Sequence, residues 1–438
     1  MKLSELRIEY SDRAVTAWGG MKLMKDFVER TGIKEYLSGL ELPHPGSNRG
    51  YSPLDIVEAF WVSVWIGARR FVQSGWLQYD HVLREIFNWK AVPSHSTYGR
   101  FFHKFSWRRN TVVFPAIQRW FFEQVRFDRM TLDLDSSVMT RYGNQEGARR
   151  GYNPQKPGRP SHHPLLAFMA EMRMVVNAWL RSGNTGALSN YQAFLDETFR
   201  ILQNKKVGLV RTDSGFFANN FMEYFEKKEL NYIVAAKFYA PIRTEVLNFK
   251  TWTALRDGIE IAEWDYRLPG WSRPRRMIAI RKNIKRYPHA SGKILTLDLG
   301  LEERHYRYSV FVTNLDLPAS QIWNLYRDRA DAENRIKELK QDFGMNGFCL
   351  NSFWATEASF RFIMIAYNLM SLFRQFILRE RDQSMLSTLR FKCFALGAWV
   401  AKHAQQRVLK IALAREKRAW LDGLFDTIGQ VKAPFVFP

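Results

Sequence analysis

Apolar residues recur at helical spacing through roughly the first 125 positions, and near residue 129 the period changes from helix to strand. In the first region Ser52, Pro53 and Asp55 combine an N-cap, a proline at the first helical position and an early acid. Leu54, Val57, Phe60, Trp61, Val64 and Trp65 follow on one face. A second helix is expected over 77–87. A third is expected from 93–97 onward, carrying Arg100, His103 and Lys104 among its aromatics. Two helices, a short turn and a basic third helix fit a helix-turn-helix-like unit, and they fit a plain helical bundle equally well.

Residues 130–138 alternate strictly, which puts Asp133 and Asp135 on one face of a strand. Two acids on one side are costly unless that side is wet, paired or metal-bound; an edge strand with a solvated face is the plainer reading. A basic, glycine- and proline-rich loop over 141–164 follows, with Arg149, Arg150 and Arg159 as candidate phosphate contacts, unless the loop is merely solvated. Two strands are expected over 165–172 and 173–180, a helix over 191–202, and an apolar strand over 207–213 that ends in Asp213. A helix over 219–228 and a strand over 232–237 complete an α/β layout. An acid at the C-terminal end of an inner strand lies where α/β sheets place ligands. Residues 240–305 read as antiparallel strands, with a basic run of Arg273, Arg275, Arg276, Arg281, Lys282, Lys285 and Arg286. Strand returns over 308–314.

The segment 326–340 contains neither proline nor glycine and is expected to form one unbroken helix. At about 100° per residue, Tyr326, Arg329, Glu333 and Lys340 share an arc of about 60°. They border the apolar stripe of Leu325, Ala332, Ile336, Leu339 and Phe343. Arg327, Asp328, Asp331, Asn334 and Glu338 are expected to face water. A carboxylate aligned with two cations and a phenol at a core border suits a metal or phosphate site, although i,i+4 pairing of Arg329 with Glu333 explains the stripe by itself. Beyond Gly344, one apolar helix is expected around 360–373 and a second helical stretch over 391–413, with Lys402, Arg407 and Lys410 outward.

A chain of 438 residues is expected to form about two to four domains. Its 65 Lys and Arg against 43 Asp and Glu leave a net charge of +22, which points to a polyanionic partner, most simply nucleic acid. Cys349 and Cys393 stand apart from any metal-ligand spacing and are expected to be buried thiols in a reducing compartment. There is no apolar run of membrane-spanning length and no signal-like start, so a cytoplasmic, nucleoid-associated protein without a membrane partner is expected.

Tyr326, Arg329, Glu333 and Lys340, at intervals of Tyr-x2-Arg-x3-Glu-x6-Lys, resemble the signature of one subgroup of DDE transposases from bacterial insertion sequences. Asp135, followed by two serines, and Asp213, within Arg-Thr-Asp-Ser-Gly-Phe, resemble that family's first and second acids. The resemblance implies an RNase H-like α/β core over 126–240 and 306–347, interrupted by a mainly β insertion at 241–305. A helical DNA-binding region would occupy 1–125 and a second helical region 348–438. It implies Asp135, Asp213 and Glu333 as catalytic residues holding two Mg²⁺ or Mn²⁺ ions. Tyr326, Arg329 and Lys340 would grip the DNA end. The basic run, read from its charge, adds Arg275, Arg276, Arg281 and Lys282 as candidate DNA contacts, unless it is a solvated face. Tyr308, Trp264 or Trp271 would stack on a flipped base. The implied function is cleavage and joining of the element's inverted repeats to target DNA by a homodimer. Another RNase H-like nuclease, or a non-catalytic DNA-binding regulator derived from a transposase, stays open.

Overall fold

The computed structural model describes residues 8–47, 50–294, 305–379, 384–403 and 406–436. The chain forms two compact units. One combines residues 1–114 with 338–435, and the other comprises 115–337 with the last three residues.

The first unit is built on the helix Phe353–Phe373, buried along its whole length from Ala355 onward. Such a helix is apolar on all sides because neighbours cover every face. The helix Pro53–Trp65 supplies part of that cover. Its Trp61 and Trp65 indoles donate to the Phe362 and Ala366 carbonyls, each at 3.1 Å, so burial of both rings leaves no N–H unpaired. The region expected as a helix over 77–87 is a short 3₁₀ turn, Trp76–Tyr79, followed by the helix His81–Ile86, which Asp80 caps through Leu83 N. Ser94 caps the helix His95–Phe102. The stretch 391–413 is not the expected helix: Ala398–His403 and Gln406–Ile411 pair as an antiparallel hairpin. Cys393 is buried and Cys349 only partly so; both are free thiols.

The second unit is organised by a ten-stranded mixed sheet. Its strands are β1 (Met130–Ser136), β2 (Leu165–Met169), β3 (Met174–Trp179), β4 (Val207–Thr212), β5 (Tyr232–Ala235), β6 (Thr253–Arg256), β7 (Ile259–Tyr266), β8 (Arg275–Asn283) and β9 (Tyr306–Thr313), with the short strand Lys293–Ile294 beside β9. Their spatial order is β3-β2-β1-β4-β5-β9-β8-β7-β6. β1, β4 and β5 run parallel and every other pairing is antiparallel. Helices α1 (Tyr191–Leu202) and α2 (Asn219–Lys227) follow β3 and β4. The order of β1 to β5 is consistent with an RNase H-like core.

Strands from 253 onward extend this same sheet past β5. Leu209 and Ile233 of the first half join Ile259, Ile261, Ile278, Ile280 and Phe311 in one apolar face. Helix α3 (Ala319–Arg327) covers that face with Ala319, Ile322 and Trp323. Next comes α4 (Ala330–Gln341), whose last turn from Glu338 belongs to the first unit. The segment 326–340 is therefore not one helix. It breaks at Asp328–Arg329, where Arg329, Asp331 and Ala332 donate to carbonyls only three residues back. Glu338, expected in water, is buried against Arg374 and accepts from Leu386 N at 2.8 Å.

Candidate active site

The parallel register of β1 and β4 pairs Asp133 with Arg211 and Leu134 with Thr212. Asp135 and Asp213 are the next residues along each strand, so the two acids stand side by side at one end of the sheet. Asp133 is fully buried, and Arg211 binds it at both oxygens, at 2.7 and 2.8 Å. That leaves Asp135, 8% exposed, as the strand's second carboxylate. Asp213 caps the turn Ser214–Phe216 through Gly215 N at 2.9 Å. A Cβ on Gly215 would come 2.9 Å from Asp213 Oδ1 and 3.2 Å from Ala187 Cβ, so a larger residue there would push the Asp213 carboxylate from its capping position.

The break between α3 and α4 turns Arg329 inward. Its guanidinium, 3% exposed, donates to Asp135 Oδ2 at 2.8 Å and to the Leu134 carbonyl at 3.3 Å. It reaches Glu333 Oε1 at 3.4 Å. Arg329 thus bridges the first acid and the third. Glu333 projects outward, its side chain 70% exposed. Tyr326 packs on Phe311 with ring centroids 4.4 Å apart.

These groups lie within each other's fields. Burial pushes the Asp135 carboxyl up to about 6; Arg329 pulls it down, and the charges of Asp213 and Glu333 add to the rise. Burial raises the Tyr326 phenol to about 12, with the same three acids contributing, so it stays protonated at neutral pH. Arg329 is held above its ordinary value: burial works against its charge, but Asp135 and the other anions outweigh that.

A cavity of about 660 Å³ is lined by Ser214, Tyr308, Tyr326, Arg329 and Glu333 among others; of the three acids, Glu333 is the one that lines it. Among the described residues, no group of three or more His, Cys, Asp or Glu side chains is arranged to hold a metal ion. Asp135, Asp213 and Glu333 are the carboxylates that would be available to a divalent cation here, with solvent or phosphate oxygens completing its shell. The all-oxygen donor set suits Mg²⁺ or Mn²⁺, and Asp135 and Asp213 already stand on adjacent strand ends. Arg329 holds the Asp135 oxygen that such an ion would need.

The remaining expected residues are dispersed. Lys340 sits in the last turn of α4, half-buried, within the first unit. Arg149, Arg150 and Arg159 are exposed in the basic loop. Arg275 is buried and clasps Glu226 at 2.7 and 3.0 Å. Arg276 pairs with Glu263, and Arg281 with Glu260 at 2.7 Å. Lys282 lines the cavity. Tyr308 and Trp271 are buried and Trp264 is half-buried. His162 and His163 are buried, and burial together with Arg141 lowers the His162 imidazole to about 4. Sequence reasoning passed over Arg211, although it stands two residues before Asp213 on the same strand. It read Arg327 as a solvated charge and did not consider Arg256.

No helix among the described residues is long and apolar enough to cross a membrane. No curated protein matches the chain in sequence. Among solved structures the chain is similar to the cryo-EM structure of a piggyBac transposase synaptic complex with hairpin DNA, at 12% identity and a TM-score of 0.47, over 87% of this chain and 81% of that one. The family described as transposase DDE domain group 1 matches residues 1–433. The chain therefore belongs to the DDE transposases, enzymes of DNA cleavage and strand transfer.

Proposed function

We propose that this chain is the cut-and-paste transposase of a bacterial insertion sequence, acting on the inverted repeats of its own element through Asp135, Asp213 and Glu333. The observation that carries the proposal is the bridge from Arg329 to Asp135 and Glu333, with Asp213 on the neighbouring strand end. Residues 194 positions apart are joined there by one hydrogen bond.

Asp135, Asp213 and Glu333 would hold two Mg²⁺ or Mn²⁺ ions, which activate water and stabilise the leaving oxygen when bound. In the first step a water oxygen bonds to phosphorus while the P–O3′ bond breaks and leaves a 3′-hydroxyl. In the second, that hydroxyl attacks a target phosphodiester, and one P–O bond replaces another. Arg329 pairs with Asp135 and would also donate to a phosphate of the DNA end, and Lys340 would do likewise from the last turn of α4. Tyr326, protonated at neutral pH, donates a hydrogen bond near the terminal nucleotide. The exposed Arg149, Arg150 and Arg159 contact the backbone outside the cavity. The N-terminal helices would recognise the repeats, and two protomers would pair the two ends.

Purified protein, Mg²⁺ and a labelled fragment carrying one end of the element give cleavage at the element boundary. Asp213→Asn abolishes it while leaving DNA binding in place. Cleavage that survives this change removes Asp213 from the chemistry. Cutting of branched or arbitrary DNA without inverted repeats favours a different RNase H-like nuclease, and binding without cutting by the wild type favours a regulator.

A further inference from the structure

Trp323 of α3 is the point where three cations meet. Its ring is 3% exposed and lies against the sheet. The Arg256 guanidinium stands 5.3 Å from the ring centroid, the Lys282 ammonium 5.6 Å and the Arg327 guanidinium 5.0 Å. The cations come from three elements. Arg256 on β6 and Lys282 on β8 both pair with Ile259 of β7, one from each side, and Arg327 follows Trp323 by one helical turn. The ring offers each of them a cation–π contact.

Among the described residues the cluster has no negative charge paired with it. Neighbouring cations each have a carboxylate: Arg276 has Glu263, Arg281 has Glu260 and Arg286 has Asp257. Among the described residues, no carboxylate lies within ion-pair distance of Arg256, Lys282 or Arg327. Burial pushes the Lys282 ammonium below its ordinary value, and Arg327 and Arg256 push the same way, so the cations strain against one another. An anion in their midst relieves that repulsion. The place is accessible: Arg256 and Arg327 are exposed, and Lys282, Trp323 and Arg327 line the same cavity as Glu333.

We propose that Arg256, Lys282 and Arg327, gathered on Trp323, form a platform for the backbone phosphates of a DNA strand that runs past the acid site. The platform rests on the transposase reading for its position relative to the chemistry, and on geometry alone for its charge. It is a point-charge and fork arrangement suited to phosphodiester oxygens, and it reads no bases.

The test is the salt dependence of binding of a fluorescein-labelled 30-base-pair duplex of arbitrary sequence, followed by anisotropy in Ca²⁺. Each phosphate that is no longer neutralised lowers the slope of log affinity against log salt by about 0.9. The triple variant R256Q/K282M/R327Q is expected to have a slope shallower by about 2–3 and at least about tenfold weaker binding near 0.1 M salt. The control R200Q/K227Q removes two exposed cations from α1 and α2 and is expected to keep the wild-type slope. If the triple variant melts early, the slope of the exposed single variant R327Q is expected to fall by about 0.9. A slope unchanged in a folded variant, or lowered equally in the control, overturns the platform. End cleavage by the wild type in Mg²⁺ is scored separately. Cleavage with an unchanged slope sinks the platform alone, whereas a changed slope without cleavage sinks the transposition reading alone.

Discussion

Burial raises the Asp135 carboxyl from 3.8 to about 6 despite the Arg329 guanidinium at 2.8 Å, with Asp213 and Glu333 adding to the rise. Desolvation at an 8%-exposed site outweighs one well-placed cation. The consequence for stability has a definite sign. The folded state holds this proton more tightly than the unfolded chain, so stability falls as pH rises from about 4 to about 6 and stays lowered above that. In metal-free buffer, Asp135→Asn should therefore be more stable than wild type at pH 7.5, by on the order of 2 kcal/mol. The advantage should vanish near pH 4. Denaturant titrations at the two pH values measure this, and a less stable variant at pH 7.5 would show that the Arg329 contact outweighs burial. Added Mg²⁺ or Mn²⁺ should stabilise the wild type at pH 7.5 and not the variant, because only ionised carboxylates take a hard cation.

Three elements meet at a second buried arginine. Arg211 on β4 holds Asp133 on β1 with both forks and donates to the Leu325 carbonyl of α3 at 2.5 Å. The clasp sets the end of α3 against the sheet one residue before Tyr326 and four before Arg329. Arg211→Ala would leave the Asp133 carboxyl without its partner in a site with no exposure, at a cost of about 3–5 kcal/mol. Paired Arg211→Met and Asp133→Leu should recover much of that stability. Chemical denaturation of the single and double variants decides it, and a loss below about 1 kcal/mol for Arg211→Ala would mean water reaches the pair. The strands that carry this clasp were legible from alternation and apolar runs. The acid at the end of β4 was legible because a strand-ending Asp before Ser-Gly-Phe is a local signal. The break at Asp328–Arg329 was not, because neither proline nor glycine marks it. It goes with a long-range pull on the Arg329 side chain, and periodicity cannot register a partner 194 residues away. The hairpin at Ala398–His403 and Gln406–Ile411 was hidden differently. Its Lys402, Arg407 and Lys410 suit an outward helical face as well as an exposed strand face, and the choice depends on cross-strand pairs such as Trp399 with Lys410. The burial of Glu338 is hidden for the same reason as the break, since its position on a helical wheel gives no sign of Arg374.

For the whole molecule, the excess of 65 basic over 43 acidic residues overstates the charge free to meet DNA. Five of the seven cations between Arg273 and Arg286 are tied to carboxylates: Arg273 and Arg275 to Glu226, Arg276 to Glu263, Arg281 to Glu260 and Arg286 to Asp257. The Arg275–Glu226 pair is the most buried of these. Burial opposes ionisation of Glu226, but hydrogen bonds from Arg275, Tyr232 and Arg273 take its carboxyl down to about 2. Such pairs stiffen the β6–β9 part of the sheet and leave little charge over. Among the described residues, cations with no carboxylate at ion-pair distance include Arg149, Arg150 and Arg159 on the loop, and Arg256, Lys282 and Arg327 around Trp323. Six or more phosphate contacts from these groups would make duplex binding fall by about 10³ or more between 50 and 200 mM salt, whatever the DNA sequence. Asp213→Asn should follow the wild-type slope, because the change removes an acid and no phosphate contact. Neutralising Arg273 or Arg276 should leave the slope nearly unchanged, whereas neutralising Arg149 with Arg150 should lower it by about 2. Anisotropy titrations across that salt range distinguish the two sets. Equal reductions from both would mean that the ion pairs on the sheet open when DNA arrives, and that the whole basic run counts after all.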